Sequence, residues 1–169
     1  MVTRWGGTVD VESAPGKGTT FTVRFPAWPE LEQEKGVEVR SVRRAKVLTV
    51  DDEQVVRDLM SYLLSEDHEV ETVRDGQEAL EGFAPGQYDV ALIDLEMPGM
   101  PGDQVAQKMR QADPSLVTVL ITGFILEEND LRLSAFDFLI QKPFVPLNKI
   151  RNVVARAVEL HDTRAKGRG

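Results

Sequence analysis

Residues 88–102 read YDVALIDLEMPGMPG. Tyr88 to Ile93 is apolar except for Asp89, the pattern of a strand covered on both faces, and the run stops at Asp94. Three other apolar runs stop in the same way. AKVLTV (45–50) leads into Asp51 and Asp52, LVTVLI (116–121) into Thr122, and DFLIQ (137–141) into Lys142 and Pro143. A parallel sheet brings all of these polar residues to one edge. In open α/β sheets, ligands bind at the carboxyl ends of the strands.

Outward from these runs the pattern alternates strand with amphipathic helix, the signature of βαβ units. The spacing predicts a helix over 53–64 with Val55, Val56, Leu59, Met60, Leu63 and Leu64 on one face. HEVETV (68–73) is the second strand. Asp75 followed by Glu78 resembles a capping box, with Leu80 and Phe83 facing inward. A third helix spans 102–111 on Val105, Ala106 and Met109, and a short fourth, 127–136, has a weak period. Pro146 opens the last helix, whose stripe is Leu147, Ile150, Val153, Val154, Ala157 and Val158. The fold class is α/β with five βα units over residues 45–160, followed by a polar, frayed tail, 161–169. Thr8 to Pro26 alternates around Pro15–Gly18 as a β-hairpin, with Val9, Val11, Phe21, Val23 and Phe25 on its apolar face. Residues 28–44 are charged, lack a period, and read as a linker.

Composition narrows the function. Of 169 residues, 41% are hydrophobic and 28% charged, ordinary proportions for a globular protein. The net charge of −8 argues against a general nucleic-acid surface and suits a carboxylate site that takes a cation. No cysteine is present, so thiolate metal sites and disulfides are excluded. No apolar run approaches a membrane span and the start lacks a secretory core, so a soluble, cytoplasmic chain without membrane contact is expected.

The strand-end residues suit phosphate chemistry. Mg2+ needs only one or two carboxylates beside water and a phosphate oxygen, and Asp51, Asp52 and Asp94 supply carboxylates. Asp94 is the best nucleophile, since an aspartate forms an acyl phosphate once nearby cations offset the charge. Lys142 is such a cation, Thr122 offers a hydroxyl, and Gly123 leaves the approach open. Singly, each residue has an ordinary reading: the Asp pair as a helix cap, Asp94 as a turn cap, Thr122 as a strand threonine, Lys142 as a surface lysine. Their joint occurrence at four strand ends favours phosphoryl transfer.

The motifs VLTVDDE, DLEMPGMPG, LITG and QKPF, in that order, resemble the receiver domain of two-component response regulators over residues 45 to about 160. The resemblance implies a flavodoxin-like fold with strand order 2-1-3-4-5 and Asp94 as phosphoacceptor. It implies Mg2+ held by Asp52, Asp94 and the carbonyl of Glu96 with Asp51 assisting, while Thr122 and Lys142 stabilise the phosphoryl group. The donor it implies is a histidine kinase or histidine phosphotransfer domain, and it allows a weak dimer. Glu96 and Phe124, two beyond the acceptor and the threonine, flank the site in this family and are expected to set the lifetime of the acyl phosphate. The family's aromatic switch position, three before the lysine, is Leu139 here, with Phe138 one earlier.

RWGGTVDVESAPGKGTTFTVRFP is similar to the last hairpin of the ATP-binding domain of sensor histidine kinases, with Gly16, Gly18 and Thr19 matching its glycine-rich turn. The two resemblances together imply the carboxyl-terminal part of a hybrid sensor kinase: residues 1–27 a remnant of the kinase domain, then an intact receiver. Such a piece is expected to catalyse its own phosphorylation and dephosphorylation without kinase activity. Two other classes compete. Haloacid dehalogenase-like phosphatases use similar residues but place the nucleophile before the acidic pair, and a pseudo-receiver would lack the acidic set. With nine residues after the last helix, no DNA-binding domain fits within this sequence. His68 is expected at the surface and His161 as a cation at a helix end.

Overall fold

The structure, a computed structural model, describes residues 8–14, 18–24, 42–127, 129–144 and 146–167. The chain divides into two compact units, Met1–Glu38 and Val39–Gly169. In the first, β1 (Thr8–Ala14) pairs antiparallel with β2 (Gly18–Arg24), setting Val9 opposite Val23 and Val11 opposite Phe21. Val11 is exposed. The expected turn at 15–17 and the linker as far as residue 41 lie outside the described residues.

The second unit is built on β3 (Lys46–Val50), β4 (Glu69–Val73), β5 (Val90–Asp94), β6 (Val117–Thr122) and β7 (Phe138–Gln141). Their spatial order is β4-β3-β5-β6-β7 and every pairing is parallel. Numbered within this unit, that is 2-1-3-4-5, the doubly wound order with its ligand crevice beside the first strand. β5 is central and buried at all positions, as its unbroken apolar run requires.

Alternation along the strands sends side chains to two cores. Val47, Leu92, Val119, Ile121 and Ile140 pack with α1 (Gln54–Leu64) and α4 (Asn148–Lys166) through Val56, Met60, Ile150 and Val154. Leu48, Val50, Ala91 and Ile93 pack on the other face with α2 (Gly76–Glu81) and α3 (Gly102–Ala112) through Ala79, Val105, Ala106 and Met109. Asp75 caps α2, with Glu78 N–H donating to its Oδ1 at 2.8 Å; the return bond of a capping box falls one residue earlier than the N-cap, Glu78 accepting from Arg74 N–H at 3.1 Å. No helix among the described residues is long and apolar enough to cross a membrane.

Several sequence expectations change. Val55 and Leu147 are exposed, so the apolar stripes of α1 and α4 are narrower than their sequences suggest. The fourth helical segment is a 3-10 turn, Leu131–Ala135, in which Ala135 alone is buried. Without a second inward residue one turn away, burial cannot support an α-helix there. The last helix runs on through Lys166, taking in His161 and most of the expected tail. His161 is therefore inside the helix, and its Nδ1 lies 3.3 Å from Asp89 Oδ1. The same cluster holds Arg43, assigned to the linker from sequence: its guanidinium donates to Asp89 Oδ1 at 2.9 Å and to Asp162 Oδ1 at 2.6 Å. Val42 packs against the core as well, so the folded unit starts ahead of Ala45.

His68 is buried, not at the surface, with 4% of its area exposed. Ala45 N–H donates to its Nδ1 at 3.3 Å, so the imidazole serves as an acceptor. Burial pushes its pKa below the ordinary 6.5. The unfolded chain therefore binds the proton more readily, and the stability contributed by neutral His68 is present above pH 6.5 and lost as pH falls below it. Urea titrations of the chain and of His68→Gln at pH 7.5 and 5.5 should show a smaller loss of stability in the variant; equal losses would remove His68 as the cause. Thr49 Oγ1 is the one buried side-chain polar atom without a partner among the described residues. Thr49→Val should raise stability by about 1 kcal/mol by removing an unpaired hydroxyl at constant shape, which the same titrations would measure.

Candidate functional site

Strand register assembles the site. Val50 lies beside Ile93 and Asp94 beside Ile121, so Asp51, one residue beyond β3, stands next to Asp94 at the end of β5. Thr122 lies beside Gln141, which puts Lys142 just past the neighbouring strand end. Lys142 N–H donates to the Thr122 carbonyl at 2.8 Å and so continues the ladder by one bond. The Lys142–Pro143 peptide is cis.

The Lys142 ammonium donates to Asp94 Oδ1 at 3.0 Å, Asp51 Oδ2 at 3.1 Å and Glu53 Oε1 at 3.2 Å. Its three N–H bonds are thus all directed at carboxylates. Only 9% of its side chain is exposed. Each aspartate is also fixed by a backbone donor two residues on: Asp51 Oδ1 accepts from Glu53 N–H at 2.8 Å and Asp94 Oδ2 from Glu96 N–H at 2.9 Å. Arg57 donates to the Asp51 carbonyl at 2.5 Å.

Burial raises the Asp94 pKa to about 6, helped by the charge of Asp51 and opposed by Lys142 and the Glu96 N–H. Asp51 is also raised, by burial first, with Lys142 and the Glu53 N–H pulling it down. Burial alone would lower the Lys142 pKa, but Asp94 and Asp51 outweigh it and the ammonium is held charged. The buried core of the site thus holds two carboxylates against one ammonium, a deficit of positive charge.

The loop after β5 is shaped by its glycines. Gly99 has φ of +86°, a left-handed conformation that costs little without a Cβ. A Cβ at Gly102 would lie 2.0 Å from the Asp94 carbonyl oxygen, so α3 starts against the backbone at the end of β5 because this residue has no side chain. Asp52 and Glu96 are exposed and line one open cleft with Met97, Asp103, Gln104 and Arg132. Thr122 is buried, and its Oγ1 accepts from Phe124 N–H at 3.0 Å, leaving the hydroxyl proton to be donated elsewhere.

Asp51, Asp94 and Lys142 come into direct contact, Thr122 stands on the adjoining strand end, and Asp52 and Glu96 stand at the mouth. Among the described residues, no group of three His, Cys, Asp or Glu side chains forms a protein-only metal cage. Mg2+ does not need one, since it binds through one or two carboxylates and keeps waters. The donor set fits: Asp94, Asp51 and Asp52 offer carboxylate oxygens, two of them buried against one ammonium. Glu53 and Arg132 were missed from sequence. Glu53 carries no signal beyond a helix-start acid, and Arg132 sits in the segment whose period is weakest.

At the expected switch position, Leu139 is 43% exposed. Phe138 faces the opposite side, packed on the α1/α4 core with the Arg156 guanidinium 5.2 Å above its ring.

Comparisons with known proteins agree with this architecture. The sensor kinase CckA of Brucella abortus is 30% identical over an alignment covering 96% of this chain and 19% of its own length. The aerobic respiration control sensor protein ArcB of Escherichia coli is 30% identical, with 82% of this chain and 19% of its own length covered. This chain therefore spans about a fifth of those two relatives. Among solved structures, the response regulator protein TrrA of Thermotoga maritima in complex with Mg(2+)-BeF superposes with a TM-score of 0.61 at 32% identity, covering 67% of this chain and 98% of that one. TrrA in complex with the histidine kinase ThkA gives 0.60 at 31% identity, covering 68% and 98%. The profile of the response regulator receiver domain matches residues 47–155, nearly the whole five-stranded unit, and the chain belongs to that family.

Proposed function

We propose that Asp94 accepts a phosphoryl group from a phosphohistidine on a histidine kinase or phosphotransfer domain, and that the acyl phosphate carries the signal. The observation that supports it most is the Lys142 ammonium shared between Asp94 and Asp51, which holds a nucleophilic carboxylate beside the cation that will meet its phosphate. An Asp94 oxygen attacks phosphorus; the P–O bond forms as the P–N bond breaks, and the imidazole leaves with the electron pair and takes up a proton. Lys142 passes one N–H from Asp94 to a phosphoryl oxygen while Asp51 and Glu53 keep it in place. The Thr122 hydroxyl donates to another oxygen. Asp52, Asp94 and the Glu96 carbonyl, with Asp51 assisting, would hold Mg2+, which would supply positive charge to offset the incoming phosphate.

The hairpin of the first unit is the end of a sensor kinase ATP-binding domain in this reading. Support comes from the 96% coverage of this chain by the alignment with CckA, which extends well beyond the receiver.

Intact-mass spectrometry after acetyl phosphate and Mg2+ tests the acceptor. One phosphoryl adduct is expected, dependent on Mg2+ and absent from Asp94→Asn; an adduct that persists in the variant would place the phosphate elsewhere.

Charge linkage gives a second test. The Asp94 pKa is raised in the folded state from 3.8 to about 6, so the fold loses stability as pH rises through that window and keeps the penalty above it. Asp94→Asn should therefore stabilise the metal-free chain at pH 7.5 by up to roughly 3 kcal/mol, worth several degrees in Tm, with the gain gone near pH 4. Saturating Mg2+ should narrow the gap by stabilising the parent alone. Thermal melts with no difference at pH 7.5 would show that the site carries no such penalty.

A further inference from the structure

Lys142 lies inside the site with its N–H bonds already committed, so it is poorly placed to meet an anion approaching from solvent. The approach is a cleft of about 560 Å3 between the acceptor loop, the start of α3 and the 3-10 turn, a size suited to a small ligand. Its walls carry Asp52, Glu96 and Asp103 and, among the described residues, a single basic side chain, Arg132. A phosphodonor anion crossing this cleft is repelled by the carboxylates, and a cation on the wall raises its local concentration.

We infer that Arg132 is a positioning residue that hydrogen-bonds the phosphoryl group of a small anionic donor in this cleft and orients it for attack by Asp94. The inference rests on the reading of Asp94 as acceptor. The Arg132 guanidinium is held by Asp130 through Nη2 to Oδ2 at 2.6 Å and Nε to Oδ1 at 3.0 Å. Such a surface pair is worth little in water, so exchange onto a phosphate is easy. The backbone does not depend on that pair, because Arg132 N–H makes its own bond to Asp130 Oδ1 at 3.0 Å and caps the turn. A planar guanidinium offers two parallel N–H bonds to a phosphoryl group, which a carboxylate-lined cleft otherwise lacks. Acyl phosphates and phosphorylated imidazoles share that group.

The test is the second-order rate of Asp94 phosphorylation by acetyl phosphate and by phosphoimidazole, followed by intact mass with saturating Mg2+. Arg132→Gln should lower it about tenfold and flatten its dependence on ionic strength, whereas Arg132→Lys should stay within about threefold of the parent. Arg151→Gln, which removes a distant surface charge paired with Glu66, is the control and should leave the rate unchanged. A fall with both donors marks recognition of the phosphoryl group they share, and a fall with acetyl phosphate alone confines it to acyl phosphates; both support the inference. Unchanged rates in Arg132→Gln, or an equal fall in Arg151→Gln, overturn it. Failure of the parent chain to be labelled at all would instead overturn the acceptor reading beneath it.

Discussion

One ammonium shared among carboxylates governs the functional edge of this domain. Lys142 reaches past β6 from the end of β7 to Asp94 and Asp51, so the site exists only while three strand ends stay in register. A salt bridge this buried gains little net stability, because desolvation offsets much of the attraction. What it gives is a defined geometry at the cost of burying charge, and the raised pKa of Asp94 reflects that burial first and the neighbouring charge of Asp51 after it. The cores on both faces of the sheet hold the arrangement against its own repulsion. A site assembled on loops would relax by letting the carboxylates separate.

Most of this edge was legible in the sequence, for a physical reason. A strand buried on both faces tolerates few polar residues, so the first one marks its end, and parallel strands put their carboxyl ends together. Asp51, Asp94 and Thr122 were readable as the residues that end apolar runs, and Lys142 as the residue that follows DFLIQ. Glu53 was not, because an exposed acid at the start of a helix looks the same whether it faces water or Lys142. Gly102 was legible as the start of a helix but not as the place where α3 meets the Asp94 carbonyl, since that approach depends on the helix's final position.

Where the reading failed, the partner was distant in sequence. His68 begins a strand and was expected at the surface, yet it is buried with a backbone N–H from Ala45, 23 residues away, as donor. Arg43 sits in a charged stretch with no period, and its partners Asp89 and Asp162 are 46 and 119 residues away. That cluster also explains the longer last helix. Asp162 and His161 face Arg43 and Asp89, so polar contacts, with no apolar stripe to announce them, accompany the helix beyond Leu160.

The 3-10 turn before β7 changes how the site can communicate with the surface. With no full helix there, Leu131 and Ile125 are exposed and Leu139 is partly so. Phe138 cannot substitute at the position of Leu139, because strand side chains alternate and Arg156 covers its ring on the other face. A rotation of an aromatic ring between site and surface is therefore not available at Leu139. What does connect the Thr122 hydroxyl to the outer segment is backbone: Phe124 N–H bonds to Thr122 Oγ1, and Lys142 N–H to the Thr122 carbonyl. On the proposed reading, a Thr122 hydroxyl that turned toward a phosphoryl oxygen would move the acceptor of the Phe124 N–H with it. The same short segment that sacrifices the covering helix thus connects to Thr122 at one end and presents Arg132 to the cleft at the other.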